Sequence, residues 1–280
     1  MTLFLGNKQV QITPKRKQGS FASRTLGIGL ALALALGITT LIIVATGKDP
    51  ALAFSSMLRG AFGTKNNIGE TLVKAVPLLL GGLGLTICYR TGLTSIGAEG
   101  QILVGGIATA ACMIYLGNSL PTPALLVIML LVSVIAGGVW GLIPGVFKAR
   151  WGTNETLVTL MMNYVAIQLT SYSVSKWENP AGSNSVGIIN QSTYAGWFPS
   201  IFGQAYTLNV LIVLTIAILM FVYLKYSKQG YEIAVVGESE NTARYAAINV
   251  RKVIVRTMLL SGAICGIAGF IAVAGAGHTI

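Results

Sequence analysis

Eight acidic residues, one histidine and three cysteines make up nearly all the reactive chemistry available to this 280-residue chain. Two of the acids adjoin long apolar stretches: Glu99, in Gly97-Ala98-Glu99-Gly100-Gln101, and Glu155, after Thr153-Asn154. A carboxylate in such a place can carry a proton, complement a helix dipole or meet a polar solute. Glu99 lies between glycines that let another backbone approach closely, so its expected work is to cap the next helix or hold a broken helix pair together, ahead of touching a solute. Glu155 follows a good N-cap in Asn154 and is expected to complement the dipole of the helix that starts there. Asn163, Tyr164 and Gln168 add amide and hydroxyl groups. Tyr164 and Gln168, four apart, can share a helix face. Such residues most often bond neighbouring helices, with the lining of a polar pathway as the sharper alternative; Gln101 belongs to the same set.

Little else could be catalytic. His278 lies near the end of the chain, and neither H-E-x-x-H nor G-x-S-x-G occurs, which disfavours an intramembrane hydrolase. No G-x-x-x-x-G-K-[ST] loop is present to cradle a nucleotide. Cys88, Cys112 and Cys265 fall in or beside apolar runs without a C-x-x-C pair, so they read as packing thiols rather than a disulfide framework or zinc site.

The elements that must position these groups are apolar and long. Leu26–Thr46 carries no charge and as a helix reaches roughly 31 Å, the thickness of a hydrocarbon core. Hydrophobic residues make up 54% and charged residues only 10%, and mean hydropathy is +0.73, which together place the chain in a bilayer. The net charge of +11 does not point to nucleic acid, because the basic residues flank apolar runs instead of forming one face. Apolar periodicity predicts an all-α, polytopic transmembrane bundle of about seven spans, at 25–46, 72–88, 101–117, 121–147, 155–174, 206–224 and 257–277. The second is expected to be bent or partly re-entrant at Pro77, the fourth to kink or overrun the interface at Pro144. The first span is read as retained, because its apolar core exceeds a signal-peptide h-region. Gly137, Gly141 and Gly145 form a smooth stripe for close helix packing.

With the N-terminus in the cytoplasm, fourteen of the 19 basic residues fall on the cytoplasmic side, as the positive-inside bias requires. Residues 1–24 are then a basic cytoplasmic tail and 25–280 the membrane domain. External loop 175–205 carries Trp177, Tyr194, Trp197, Phe198 and Phe202, read as an interfacial belt or a surface for an extracytoplasmic partner. Cytoplasmic loop 225–256 is predicted to hold a short helix over Glu240–Ile248, capped by Ser239 or Asn241 and stopped by Asn249 in a left-handed conformation.

Three ordered segments carry a family resemblance. Gly237-Glu238, Ala243, Ala246-Ala247-Ile248, then Ser261-Gly262 and Gly266-Ile267-Ala268-Gly269, resemble the EAA-like coupling segment of ABC importer permeases. Tyr89-Arg90-Thr91-Gly92-Leu93 with Ile96-Gly97-Ala98-Glu99-Gly100-Gln101 is similar to the family's AGLFNIGAEGQ segment, with Thr94-Ser95 in place of Phe-Asn. Asn154-Glu155-Thr156 with Thr159-Leu160-Met161-Met162-Asn163-Tyr164 is similar to its NEVISTLMLNY helix. The match covers roughly residues 70–275 and looks most like the nucleoside and simple-sugar branch, related to ribose and branched-chain amino acid permeases. Ala247 stands where the family's usual form has Gly.

The resemblance implies a non-enzymatic transport subunit in a bacterial plasma membrane, moving a small polar solute by alternating access. Gly237, Glu238, Ser239, Glu240, Ala243, Ala246, Ala247 and Ile248 would couple it to ABC ATPase subunits, which hold the ATP and Mg; the chain itself is expected to bind no cofactor or metal. A second permease subunit and an extracytoplasmic substrate-binding (lipo)protein are implied. Glu99, Gln101, Asn154, Glu155, Asn163, Tyr164 and Gln168 are the candidate pathway residues. The family's usual length implies a C-terminally truncated permease. The alternatives are an ion-coupled secondary transporter using Glu99 or Glu155, and an ABC permease for branched-chain amino acids.

Overall fold

A computed structural model describes residues 2–5, 8–11, 21–199 and 206–279. Lys15, Arg16 and Lys17 of the basic tail, and Phe202 of the 175–205 loop, lie outside the described residues. The chain divides into two units, Met1–Gly63 and Thr64–Ile280.

The first unit opens with a two-stranded antiparallel ribbon, β1 (Thr2–Leu5) and β2 (Lys8–Gln11), with Thr2 opposite Gln11. Nothing in the apolar pattern announced it. Helix α1 (Phe21–Ala45) follows, apolar around its whole circumference as a membrane-crossing helix requires. A second helix, α2 (Pro50–Phe62), was not expected; Asp49 caps it by accepting the Ala51 amide at 2.9 Å, and Pro50 supplies the preset first turn.

The second unit is a helical bundle: α3 (Lys65–Arg90), α4 (Ala98–Leu116), α5 (Thr122–Trp151), α6 (Glu155–Trp177), α7 (Thr207–Tyr226), α8 (Lys228–Glu238), α9 (Glu240–Tyr245) and α10 (Val250–Ala272), closed by a π-helical turn at Val273–Gly277. Across both units six described helices are long and apolar enough to cross a membrane. The seventh long helix, α6, carries too many Thr, Ser, Asn and Gln side chains to be among them. Pro77 and Pro144 sit inside continuous helices, so the second span, expected to be bent or partly re-entrant, is a single 26-residue helix without a re-entrant break. Both α3 and α10 begin seven residues before their apolar runs, because Thr64 and Asn249 cap polar first turns.

Helix α10 is the axis of this unit: 72% of its most apolar stretch is buried, against 11% for α7. Glycine explains how α4 and α5 come so near it. A methyl on Gly141 would lie 2.6 Å from the Met258 carbonyl oxygen, one on Gly137 would strike the Gly262 carbonyl, and one on Gly105 would lie 2.8 Å from Gly266 Cα. The stripe Gly137, Gly141, Gly145 therefore faces α10, where dispersion between backbones replaces side-chain packing. Cys88 and Cys265 are free, buried thiols in the same core.

Candidate functional site

Two of the three segments singled out in the sequence meet in one polar clamp. Residues 92–97, between α3 and α4, leave backbone groups without helical partners, which is costly away from water. One face of α6 satisfies them. Glu155 Oε1 accepts the Thr94 amide at 3.2 Å, Thr156 donates its hydroxyl to the Thr94 carbonyl at 2.7 Å, and Thr159 Oγ1 accepts the Ile96 amide at 3.2 Å. Asn163 then spans the rest, donating Nδ2 to the Ile96 carbonyl at 2.9 Å and accepting the Gly100 amide on Oδ1 at 3.0 Å. Positions 155, 159 and 163 are successive turns of one helix face. The other oxygen of Glu155 pairs with Lys148 Nζ at 2.8 Å, which ties the end of α5 into the clamp. Asn154 caps α6 as expected, accepting the Thr156 and Leu157 amides at 3.0 and 3.4 Å.

The third segment forms a projection at the end of the bundle where α5 stops and α10 starts. Ser227 caps α8 through the Gly230 amide at 2.9 Å. Gly230, Ile233 and Val236 turn inward, and Glu232 pairs with Arg256 of α10 at 2.9 Å. Gly237 lies hard against the turn after α3, where a methyl would strike the Arg90 carbonyl. Ser239, in extended backbone, then caps α9 by accepting the Thr242 amide at 3.3 Å. Ala243 is fully buried and its carbonyl accepts the Ile248 amide at 2.9 Å, which folds the segment back on itself. Tyr245, at the tip, is 93% exposed.

The helix expected over Glu240–Ile248 is thus corrected to Glu240–Tyr245, and a second helix, α8, precedes it. The left-handed stop is Ala247, at φ +57, and not Asn249. Asn249 caps α10 instead, accepting the Lys252 amide at 3.1 Å. Glycine takes that left-handed conformation without penalty, which accounts physically for the Gly that the resemblance places at Ala247.

The family model for the permease component of branched-chain amino acid transport systems matches residues 67–280. The chain belongs to this permease family. It is 35% identical over 237 residues to the guanosine ABC transporter permease protein NupP of Bacillus subtilis (strain 168), covering 82% of this chain and 66% of that protein. It is 29% identical over 280 residues to the glucose ABC transporter permease protein TsgB13 of Haloferax volcanii, covering 96% of this chain and 73% of the relative. The nucleoside ABC transporter permease protein NupB of Lactococcus lactis subsp. cremoris is 28% identical, with 82% and 65% covered. The chain thus spans just under two thirds of NupP and NupB. No solved structure matches it. With its long apolar helices, the permease is a multi-pass membrane protein.

The remaining candidates separate. Gln101 is buried in the glycine core near Gly141. Glu99 caps no helix; α4 has no side-chain cap, and Glu99 stands exposed in its first turn. Together with Thr170, Ser171 and Ser175 of α6 and Asn184 beyond it, Glu99 lines a groove of about 550 Å³ between α4 and α6. Tyr164 and Gln168 are exposed on the adjoining face of α6. Opposite α9, the segment 178–199 packs on the bundle end. Trp197 stacks on His278 at 3.7 Å, Phe198 meets Phe270 edge-on at 5.2 Å, and Asn190 donates to the Met113 carbonyl at 2.8 Å. Trp197 and Phe198 thus pack partly on protein, whereas Tyr194 is 62% exposed. Sequence reasoning missed Lys148, Thr159, Arg256 and Tyr245. Of these, only the Lys148–Glu155 pair, across a short turn, left a signal in charge spacing.

Proposed function

We propose that this chain is the membrane-spanning subunit of an ATP-driven importer for nucleosides, with simple sugars as the related substrate class. Its home is the bacterial plasma membrane, with the N-terminus, α8 and α9 on the cytoplasmic side. The observation that carries the reading is the α8–α9 projection. It is anchored at Gly237, Glu232 and Ala243, so it cannot swing freely, and it offers exposed Tyr245 at its tip. A rigid peg on a chain without a nucleotide loop suits a groove in a separate ATPase subunit, where ATP and Mg would bind. A second permease subunit and an extracytoplasmic binding (lipo)protein complete the assembly, the latter against the 178–199 segment.

In this mechanism, closure of ATP-loaded ATPases moves α9, and through Gly237 and the Glu232–Arg256 pair it moves the ends of α3 and α10. The peg must seat differently in the two states, since only differential interaction can shift their populations. The clamp on residues 92–97 carries that motion to α6. The polar face of α6, with Tyr164, Gln168, Ser171 and Ser175, and Glu99 across the groove, is the pathway side. Amides, hydroxyls and a carboxylate there match the hydroxyls and ring nitrogens of a nucleoside.

Nucleosides stand first because NupP and NupB carry guanosine and nucleoside names; sugars follow on TsgB13. Uptake of labelled guanosine by vesicles holding the whole assembly, with uridine, ribose and leucine as competitors, tests the choice. Competition by uridine supports it, and competition by ribose or leucine alone overturns it.

A further inference from the structure

Two cations at the α9 end of the bundle have no acidic partner among the described residues: Arg150 in the last turn of α5 and Arg251 in the first turn of α10. They share a cavity of about 530 Å³ with Lys148 and Arg244. Those two are already neutralised, by Glu155 at 2.8 Å and by Glu240 at 3.3 Å. The cavity therefore keeps two uncompensated positive charges, beside the N-terminal end of α10, whose dipole adds to them. Directly adjoining it, Val146, Ala149 and Val255 form an apolar slot of about 280 Å³ with Arg150 and Arg251 on its rim. The slot runs between two helices that are long and apolar enough to span a membrane.

Apolar slot and basic rim meet where these helices leave the lipid. Trp151 marks that level: it is 60% exposed, and the Arg150 guanidinium lies over its ring at 5.4 Å. An occupant must place hydrocarbon between α5 and α10 and negative charge at the two guanidinium groups. A free phosphate would leave the slot empty, and a single acidic side chain is too short to fill it while its carboxylate reaches both guanidinium groups. We propose that this groove binds one anionic phospholipid, its phosphate diester between Arg150 and Arg251 and the upper part of one acyl chain along Val146, Ala149 and Val255. The planar guanidinium fork suits bidentate contact with phosphate oxygens. This inference rests on the membrane reading of α5 and α10 and not on the choice of transported solute.

The test uses the full chain, purified in mild detergent, stripped of lipid and titrated with phosphatidylglycerol, phosphatidylcholine of the same chain length, or inorganic phosphate, with bound species read by native mass spectrometry. Two variants probe the two halves of the groove: Arg150→Gln with Arg251→Gln removes the charge, and Val255→Trp fills the slot while keeping it. Size-exclusion profiles identical to the parent certify folding, since all three positions are at the surface or half-buried. Phosphatidylglycerol should be retained preferentially, weakened about 30-fold by the double arginine change, at roughly a fivefold loss per cation, and weakened also by Val255→Trp. Equal retention of phosphatidylcholine would overturn the proposal, as would retention unchanged in both variants. Displacement of phosphatidylglycerol by equimolar phosphate would assign the site to a soluble anion. Loss of co-purifying ATPase subunits from the double variant with lipid binding intact would assign the arginines to a protein partner.

Discussion

Asn163 accepts the Gly100 amide at 3.0 Å while the same side chain donates to the Ile96 carbonyl at 2.9 Å. One carboxamide thereby joins the inner face of α6 to the loop that opens α4. Asn163→Ala leaves the buried Gly100 amide and the part-buried Ile96 carbonyl unpaired, and we expect a loss of about 2 kcal/mol in stability. Thermal unfolding in detergent reads it. Asn163→Asp, which keeps the acceptor but sets a carboxylate oxygen against the Ile96 carbonyl in a buried site, should lose at least as much.

The Lys148–Glu155 pair is partly buried, with side-chain exposures of 25% and 12%. Removing one partner strands the other, so Glu155→Gln should destabilise by about 1–3 kcal/mol. Lys148→Met combined with Glu155→Gln should lose less than the sum of the single changes, because the stranded charge is gone. Strict additivity in this double-mutant cycle would mean that the two groups do not interact.

Glycines of the bundle differ sharply in what surrounds them. A methyl on Gly137 strikes the Gly262 carbonyl, whereas nothing lies within 4 Å of one on Gly82. Gly137→Ala should lower the midpoint of unfolding or abolish folded protein. Gly82→Ala should be neutral or stabilising by up to about 1 kcal/mol from helix propensity.

Ala247, at φ +57, adopts a conformation that disfavours any residue with a Cβ. Ala247→Gly should stabilise by about 1 kcal/mol and Ala247→Val should destabilise by at least as much. Both are read by unfolding midpoints, and the pair distinguishes backbone strain from a side-chain effect.

His278 stacks on Trp197 with ring planes 3° apart, and burial pulls its pKa below the ordinary 6.5. A histidine depressed in the folded state binds its proton more readily when released. The stabilisation is therefore present above pH 6.5 and is lost as pH falls below that value. Tryptophan emission, taken as the difference from Trp197→Phe, should change as pH falls below 6.5 and stay flat in His278→Gln.

What could be read from residues alone follows from which forces act locally. Gly137, Gly141 and Gly145 recur every four positions, and only a close helix neighbour uses such a stripe, so their role was legible. Asn154 was legible as a cap for the same reason: its partners are two and three residues away. Asn249 was misread because asparagine serves equally as an N-cap and as a left-handed stop, and the choice is made by Ala247, a residue that seldom takes positive φ. Helix α8 escaped notice because its buried face, Ile233 and Val236 beside Gly230, is too short to give a clear apolar period. Glu99 and Glu155 looked alike in composition. Their difference, exposed against clamped, comes from α6 lying parallel to α4, a long-range fact that no local pattern encodes.

Removing the aromatic tip of the peg tests the account most directly. Tyr245→Ala takes away a side chain with 93% exposure and no packing role, so the bundle should fold as before. If α9 is the joint to the ATPase subunits, their association with the chain should weaken about tenfold or more, as for a tyrosine anchor at an interface, and ATP-dependent guanosine uptake should fall with it. Unchanged association and uptake in Tyr245→Ala combined with Thr242→Glu, at normal levels of folded protein, would contradict it.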